Sequence, residues 1–100
     1  MSLPGQRVFI TGASSGIGAA LAREYAARGA TLGLLGRRRD ALDQLRQSLP
    51  DASRHQVYTV DVLDRAALAA AAQDFLTANG GADIVVACAG LLNPKYPALV

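Results

Sequence analysis

The chain has 100 residues and a net charge of +2 at pH 7, and 51% of its residues are hydrophobic and 18% charged. This composition predicts one soluble globular domain and excludes a disordered chain, and so weak a basic balance gives no indication of nucleic acid as a partner. No apolar run approaches the ~20 residues of a membrane span. The chain has a single cysteine, and its first residues, MSLPGQR, do not resemble a secretory leader; both observations predict a cytoplasmic protein.

The first predicted element is a short β-branched and aromatic strand, residues 7–11 (RVFIT). It leads through a glycine-rich loop into a predicted helix over residues 17–28, which is expected to end at Gly29. The side chains expected to form the buried stripe of this helix are Ile17, Ala20, Leu21, Ala27 and, in part, Tyr25.

A second buried strand is predicted for residues 31–36 (TLGLLG). Residues 40–49 place three leucines at helical spacing, which predicts a helix with Asp40 as its N-cap and Pro50 after its end. These leucines are Leu42, Leu45 and Leu49.

The second half of the chain repeats this alternation. Residues 56–60 (QVYTV) predict a third strand, and residues 65–78 predict a third helix that Asp64 caps and residues 79–81 (NGG) end. Residues 83–89 (DIVVACA) predict a fourth strand that is apolar on both faces.

The order β-α-β-α-β-α-β with short loops predicts an α/β protein whose parallel sheet is covered by helices on both sides. Right-handed crossovers favour a Rossmann-type doubly wound sheet with strand order 3-2-1-4. Ligands of such sheets bind at the carboxyl ends of the strands, beside the first strand. Away from that edge, His55 is expected to be an ordinary surface residue, and Cys88 a buried, inert thiol; no metal site is predicted.

The glycine loop follows the first strand, at the edge where a ligand is expected. Glycine permits positive φ and close approach of the backbone, and the first turn of the following helix offers unpaired N–H groups to a pyrophosphate. The alternative is a glycine-rich turn without a ligand; a P-loop is disfavoured because the loop has no lysine. The residues predicted to hold the phosphates are Gly12, Ser14, Ser15, Gly16, Ile17 and Gly18.

Two later strand ends extend this predicted site. NAD-binding folds place an acidic residue after the second strand, whereas NADP-binding folds place arginine there to meet the 2′-phosphate. We therefore predict that Arg37 and Arg38 bind that phosphate, while Arg39 begins a solvated helix. After the third strand, Asp61 either stabilises the turn or contacts an adenine edge, with Val62 packing on the ring.

Together these segments resemble the short-chain dehydrogenase/reductase family. Residues 11–18 (TGASSGIG) match its T-G-x-x-x-G-x-G cofactor motif. Residues 36–38 (GRR) are similar to the NADP-preferring members, and residues 61–62 (DV) resemble the adenine-contacting pair. The resemblance covers residues 6–90 and implies NADP(H) as the cofactor.

The fourth strand carries a departure from the family pattern. Residues 83–90 (DIVVACAG) are similar to D-x-x-V-N-N-A-G, but Ala87 and Cys88 stand where the family has two asparagines. The side-chain hydrogen bonds of those amides are therefore missing. The resemblance still implies backbone contacts from Cys88, Ala89 and Gly90 to the ribose on the nicotinamide side.

The resemblance implies an NADP(H)-dependent oxidoreductase that moves hydride between nicotinamide and a small carbonyl or alcohol substrate, in a full-length protein expected to be a homo-oligomer. The family's catalytic serine and Tyr-x-x-x-Lys pair are not matched here, because no tyrosine is followed four places on by lysine. We thus expect residues 1–100 to be the cofactor-binding portion of a longer enzyme, with no catalytic residue of its own. The alternative is a non-catalytic dinucleotide-binding protein, such as a redox sensor or an assembly subunit.

Overall fold

The computed structural model describes residues 5–88, and strands and helices alternate along them as the sequence predicts. The strands are β1 (Arg7–Thr11), β2 (Thr31–Gly36), β3 (Gln56–Thr59) and β4 (Ile84–Ala87). The helices are α1 (Gly16–Ala27), α2 (Arg39–Ser48) and α3 (Arg65–Asn79), and a 3₁₀ turn (Ala52–Arg54) precedes β3. Within residues 5–88, no helix is both long enough and apolar enough to cross a membrane.

The strands form a four-stranded parallel sheet in the order β3-β2-β1-β4. This order is the predicted 3-2-1-4 arrangement, which is therefore confirmed. Parallel pairing brings the carboxyl ends of all these strands to one edge of the sheet. The loops that follow β1, β2 and β3 consequently meet there.

Successive side chains of β1 point to opposite faces of the sheet, and each face has its own core. On one face, Val8 and Ile10 pack with the buried residues of α1 and α2. On the other face, Phe9 packs with Ala71 and Phe75 of α3. Helices therefore cover both faces, as expected for a doubly wound sheet.

Gly33 makes room for the aromatic pair on the α3 face. A Cβ at this position would lie 2.7 Å from the ring of Phe75 and 2.8 Å from the ring of Phe9. The two rings lie with centroids 5.5 Å apart, within the range of favourable aromatic contacts. An isolated glycine inside a strand is the sequence signal for such a close approach.

The buried side of α1 differs from the predicted stripe. Its buried residues are Gly18, Ala22 and Ala26, spaced by four along the helix. This row of small side chains faces the sheet, whereas Ile17 is 51% exposed. Ala20 and Ala27 are also exposed, and of the predicted stripe only Leu21 and Tyr25 pack partly against the core. The predicted stripe was therefore wrong at Ile17, Ala20 and Ala27, because the side of the helix that faces the sheet is set by the close approach of Gly18 to the Gly12 carbonyl.

The ends of the helices follow the predictions in α1 and α3 but not in α2. Gly29 has φ +93° and follows the last turn of α1. Asp64 caps α3 by accepting a hydrogen bond from the amide of Ala67 at 3.1 Å. In α2, Arg38 is the N-cap and makes no side-chain capping bond, and Asp40 lies one residue inside the helix, so its predicted capping role was wrong.

His55 is buried, which corrects the prediction that it is a surface residue. The residue is 2% exposed, and its ring accepts a hydrogen bond at Nδ1 from the amide of Leu32 at 3.1 Å. Because a backbone amide only donates, the ring hydrogen is on Nε2, which donates to the carbonyl of Pro50 at 2.8 Å. The chain between α2 and β3 folds back onto the start of β2, and this reversal buries the ring.

Arg7 and Asp83 join the starts of β1 and β4. The guanidinium donates from Nε and Nη2 to the two carboxylate oxygens at 2.9 and 3.0 Å, and the Arg7 amide donates to the same carboxylate at 2.8 Å. These bonds lower the pKa of Asp83 to about 2. The pair lies at the sheet edge opposite the glycine loop.

Candidate functional site

Backbone hydrogen bonds fix the loops at the carboxyl edge of the sheet to the neighbouring strands. The amide of Ala13 donates to the carbonyl of Leu35 at 2.9 Å, which ties the glycine loop to the end of β2. The amide of Val60 donates to the carbonyl of Gly36 at 2.8 Å. These bonds place the predicted residues of the first three strand ends side by side.

The glycine loop is closed by its own hydrogen bonds. Gly12 has φ +67°, a backbone conformation that favours glycine. The carbonyl of Gly12 accepts from the Ser15 amide at 3.1 Å and from the Ser15 hydroxyl at 2.7 Å. The Ser15 hydroxyl in turn accepts from the amide of Gly18 at 3.2 Å, and so serves as the N-cap of α1.

The two helical glycines of the loop have different structural roles. A Cβ at Gly18 would lie 2.2 Å from the carbonyl oxygen of Gly12, so the fold itself requires glycine there. A Cβ at Gly16 would meet no atom within 4 Å, and Gly16 has no positive φ. The protein alone places no demand for glycine at position 16, and the space beside it is open.

The start of α1 also carries amides without a described acceptor. Among residues 5–88, the amides of Ser14, Gly16 and Ile17 have no hydrogen-bond acceptor. The positive end of the helix dipole adds to these donors and favours an anion. Ile17 is half exposed beside them, so the predicted loop residues lie together as a candidate anion site.

Arg37 and Arg38 follow β2, directly beside the glycine loop. Ser14 links the two segments, because a Cβ at Gly36 would lie 2.9 Å from its hydroxyl oxygen. Both arginines are exposed and form no ion pair with any residue in the described part of the chain. Arg39 differs, since its guanidinium pairs with Asp43 at 3.1 Å.

Arg38 and Arg39 lie at the start of α2, where a positive charge is electrostatically unfavourable in the protein alone. Arg38 is the N-cap of α2 and Arg39 its first residue, and cations at a helix N-terminus are opposed by the helix dipole. Asp40 in the first turn and the Asp43 partner of Arg39 offset part of this positive charge. The remaining positive charge of Arg37 and Arg38 attracts an anion to the same edge as the glycine loop.

Asp61 stabilises the turn after β3. Its carboxylate accepts a hydrogen bond from the amide of Leu63 at 3.0 Å, and its carbonyl accepts from the amide of Asp64 at 2.9 Å. This turn-forming role was one of the two alternatives drawn from the sequence. The other alternative, a contact to an adenine edge, stays a prediction.

Val62 borders an apolar cavity of about 440 Å³ on the α3 face. Phe9, Phe75 and Val85 also line it. Val85 is 65% exposed, so one face of β4, which was predicted to be apolar on both faces, is open within the described residues. The cavity was not predicted, because Val62 and Val85 are far apart in the sequence.

Cys88 lies at the end of β4 and is buried. Its amide donates to the carbonyl of Thr11 at 3.2 Å, which places it beside the start of the glycine loop. Burial raises the pKa of the thiol, in agreement with the predicted inert side chain. Ala89 and Gly90, the other predicted residues of this segment, lie outside the described residues.

The structural roles of Ser15 and Ser14 were not predicted from the sequence. Ser15 was predicted among the residues that hold the phosphates, but its hydroxyl donates to the carbonyl of Gly12 and caps α1. A serine just before a helix is the signal for such an N-cap. The packing of Ser14 against Gly36 has no local signal, since it depends on how β1 and β2 pair.

Comparison with known proteins gives this edge its context. Residues 6–98 match the short chain dehydrogenase family. The chain belongs to that family. Glucose 1-dehydrogenase of Gluconobacter oxydans is 37% identical over 93 residues, which are 91% of this chain and 35% of that protein. The chain thus spans about a third of the length of this curated relative of the short chain dehydrogenase family.

Solved structures of the family carry either nicotinamide cofactor. L-sorbose reductase from Gluconobacter frateurii, complexed with NADPH and L-sorbose, superposes with a TM-score of 0.75 at 36% identity and covers 86% of this chain and 34% of that one. NAD⁺-bound xylitol dehydrogenase superposes with a TM-score of 0.78 at 26% identity and covers 85% of this chain and 33% of that one. Short chain dehydrogenases with this fold therefore include NADPH-bound and NAD⁺-bound proteins.

Proposed function

We propose that this chain is the NADP(H)-binding portion of an oxidoreductase that transfers hydride between nicotinamide and a small carbonyl or alcohol substrate. The observation that carries the proposal is the meeting of two anion-favouring features at one sheet edge. These are the amides at the start of α1 and the arginines Arg37 and Arg38 after β2, none of which has a partner among residues 5–88.

The glycine loop fits a pyrophosphate. The amides of Gly16 and Ile17 point out of the start of α1 with no described acceptor, and the space beside Gly16 is open. A pyrophosphate requires both donors and close approach to the backbone. Two hydrogen bonds of the Ser15 hydroxyl, to the Gly12 carbonyl and from the Gly18 amide, hold the loop in this shape.

The arginines fit a 2′-phosphate better than a ribose with free hydroxyls. The planar guanidinium forms paired hydrogen bonds to phosphate oxygens, and neither Arg37 nor Arg38 has a described carboxylate partner that would compete. NAD-binding sites place a carboxylate at the end of this strand, and here β2 ends in Gly36 and is followed by arginine. These features support a preference for NADP(H) over NAD(H).

When bound, the nicotinamide cofactor supplies or accepts the hydride, and the residues of this chain bind and orient it. The free amides of the glycine loop would hold the pyrophosphate, and Arg37 and Arg38 would pair with the 2′-phosphate. The turn at Asp61 and Val62 borders the same edge. No residue of these segments is positioned here as a proton donor, and the acid–base group is expected elsewhere in the full-length protein.

The cofactor preference is tested by titrating the protein with NADPH and with NADH, following nicotinamide fluorescence. We expect NADPH to bind more tightly than NADH. Arg37→Ala and Arg38→Ala are each expected to weaken NADPH binding by about 10-fold, because each removes one charge-assisted hydrogen bond of roughly 1.5 kcal/mol. NADH binding stays unchanged in both variants. Arg23→Ala is the matched control, because Arg23 is an exposed arginine two turns into α1. Equal affinities of the wild-type protein for the two cofactors contradict the assignment of the 2′-phosphate.

The catalytic part of the proposal is tested by the coding sequence beyond residue 100. A Tyr-x-x-x-Lys pair there favours the enzyme, and an in-frame stop favours the non-catalytic alternative. The names of the relatives, dehydrogenases and a reductase, support the enzyme. A homo-oligomeric full-length protein and a cytoplasmic location stay predictions.

A further inference from the structure

His55 is the single histidine of the chain, and the proposed nucleotide site does not use it. Its buried ring joins two backbone segments, since it accepts from the amide of Leu32 in β2 and donates to the carbonyl of Pro50 after α2. His55 directly precedes β3. The neutral ring therefore ties the start of β3 to β2.

Burial and two arginines oppose a positive charge on the ring. Arg46 on α2 and Arg54 in the 3₁₀ turn both disfavour the protonated ring, whereas the hydrogen bond to the Pro50 carbonyl and the Asp51 carboxylate favour it. Arg54 is held in place, because it donates to the hydroxyl of Thr31 at 3.0 Å and lies 3.9 Å from the Asp51 carboxylate. Loss of hydration in the buried position is the largest effect that lowers the pKa of His55 below its ordinary 6.5.

Protonation is incompatible with the observed hydrogen bonds. A proton on Nδ1 would face the amide hydrogen of Leu32, so that two donors would oppose each other. The buried ring has no second acceptor for that proton among its hydrogen-bond partners in residues 5–88. A protonated His55 must therefore leave its place to reach water.

Movement at His55 reaches the proposed nucleotide edge, which is formed by the carboxyl ends of β1, β2 and β3, through one short strand. β3 is an edge strand of the sheet that residues 5–88 form, and it pairs with β2 alone. Its far end is held by the bond from the Val60 amide to the Gly36 carbonyl, next to Arg37. The Asp61 turn follows directly.

We propose that His55 is a pH-sensitive latch: the neutral ring holds β3 on β2, and protonation in mildly acidic solution releases β3 and lowers nucleotide affinity. The effect on β3 is independent of the proposed function, whereas the effect on affinity rests on it.

The titration of His55 is the first test. His55 is the single histidine of residues 1–100, and its ring signals in the NMR spectrum are assigned by their loss in His55→Gln. We expect the ring of the folded protein to stay neutral below pH 6.5, the ordinary pKa. A ring that titrates in the folded state at or above pH 6.5 overturns the proposal, whatever the variants do.

Amide hydrogen exchange then tests the release of β3, with each rate corrected for its intrinsic dependence on pH. At pH values below 6.5, we expect the Leu32 and Val60 amides to lose protection as the pH is lowered. The loss is up to about tenfold per pH unit, since one proton is taken up. The amide of Asp83, on the β4 side of the sheet, serves as the internal control. Protection of Leu32 and Val60 that does not change with pH overturns the proposal.

A matched pair of variants separates the ring from its surroundings. In His55→Gln, which cannot titrate, the acid-dependent loss of protection is expected to disappear. In Ser53→Ala, a change at an exposed position of the same 3₁₀ turn, the loss is expected to persist. The same acid-dependent loss in His55→Gln as in the wild-type protein overturns the proposal.

Nucleotide affinity is measured with NADP⁺ at about pH 7.5 and pH 5.5 for the same three proteins. A phosphate monoester itself gains a proton near pH 6, so the comparison between variants carries this test. We expect a larger loss of affinity on acidification in the wild-type protein and Ser53→Ala than in His55→Gln. An equal loss of NADP⁺ affinity on acidification in all three proteins overturns the link between His55 and the nucleotide site. If NADP⁺ does not bind at either pH, the proposed function fails, while the exchange data still decide whether the latch exists.

Discussion

Replacing Gly18 by alanine is expected to break the glycine loop itself. The new Cβ would lie 2.2 Å from the carbonyl oxygen of Gly12 and 2.9 Å from Cα of Ala13, both backbone atoms. Ordinary contact begins near 3.4 Å, so the start of α1 must move by roughly 1 Å away from the loop. Overpacking of this kind costs about 1–3 kcal/mol, and the upper end applies because hydrogen bonds from Ser15 hold the Gly12 carbonyl.

Gly16→Ala is the matched substitution two residues earlier. Its Cβ meets nothing within 4 Å, and alanine in a helix is favoured over glycine by up to about 1 kcal/mol. We therefore expect Gly16→Ala to leave the free energy of unfolding unchanged or slightly raised, while NADPH binding weakens because the methyl group fills the space beside the free amides.

Urea denaturation followed by circular dichroism, together with NADPH titration, separates the two effects. Gly18→Ala is expected to lower the free energy of unfolding by about 2 kcal/mol, after the gain in helix propensity is subtracted. A Gly18→Ala protein as stable as the wild type refutes the steric argument. Wild-type affinity for NADPH in Gly16→Ala refutes the placement of the pyrophosphate at this loop.

Two further predictions concern stability away from the nucleotide edge. Arg7 lowers the pKa of Asp83 to about 2 from 3.8, so the pair stabilises the fold fully above pH 3.8 and loses that contribution as the pH falls toward 2. Denaturation between about pH 5 and pH 2 is expected to show a weaker pH dependence in Asp83→Asn, and an unchanged dependence would contradict this. Phe75→Ala, at a fully buried ring, is expected to lower the free energy of unfolding by about 3–5 kcal/mol in urea. Leu63→Ala, at a side chain that is 82% exposed, is expected to change it by less than about 0.5 kcal/mol; similar losses in both would contradict the assigned core.

The sequence predicted those parts of the fold that depend on local pattern. Apolar runs located the strands, Asp64 and Gly29 marked helix ends, and the alternation of elements gave the strand order. The glycine loop was located for the same reason, since its spacing and its position after a strand are both local features.

Features that depend on packing between distant segments were not predicted. His55 looked like a loop residue because its partners, Leu32 and Pro50, are brought to it only by the reversal after α2. The sheet-facing side of α1 was misplaced because the fit of Gly18 against the Gly12 carbonyl is a tertiary contact. In both cases the prediction required knowing which surface the segment packs against. Hydrophobic spacing alone does not give that surface.

Strand β2 has a consequence for how a ligand would bind. Its last two carbonyls, those of Leu35 and Gly36, hold the glycine loop and the end of β3 respectively. The glycine loop and the end of β3 are therefore attached to one central strand, and their separation is set when the sheet forms. Binding to such a preorganised edge orders few additional backbone torsions, so most of the entropy loss occurs during folding, before any ligand arrives. For the same reason, the flexible arginine side chains are the parts of this edge that must still be ordered when a phosphate binds.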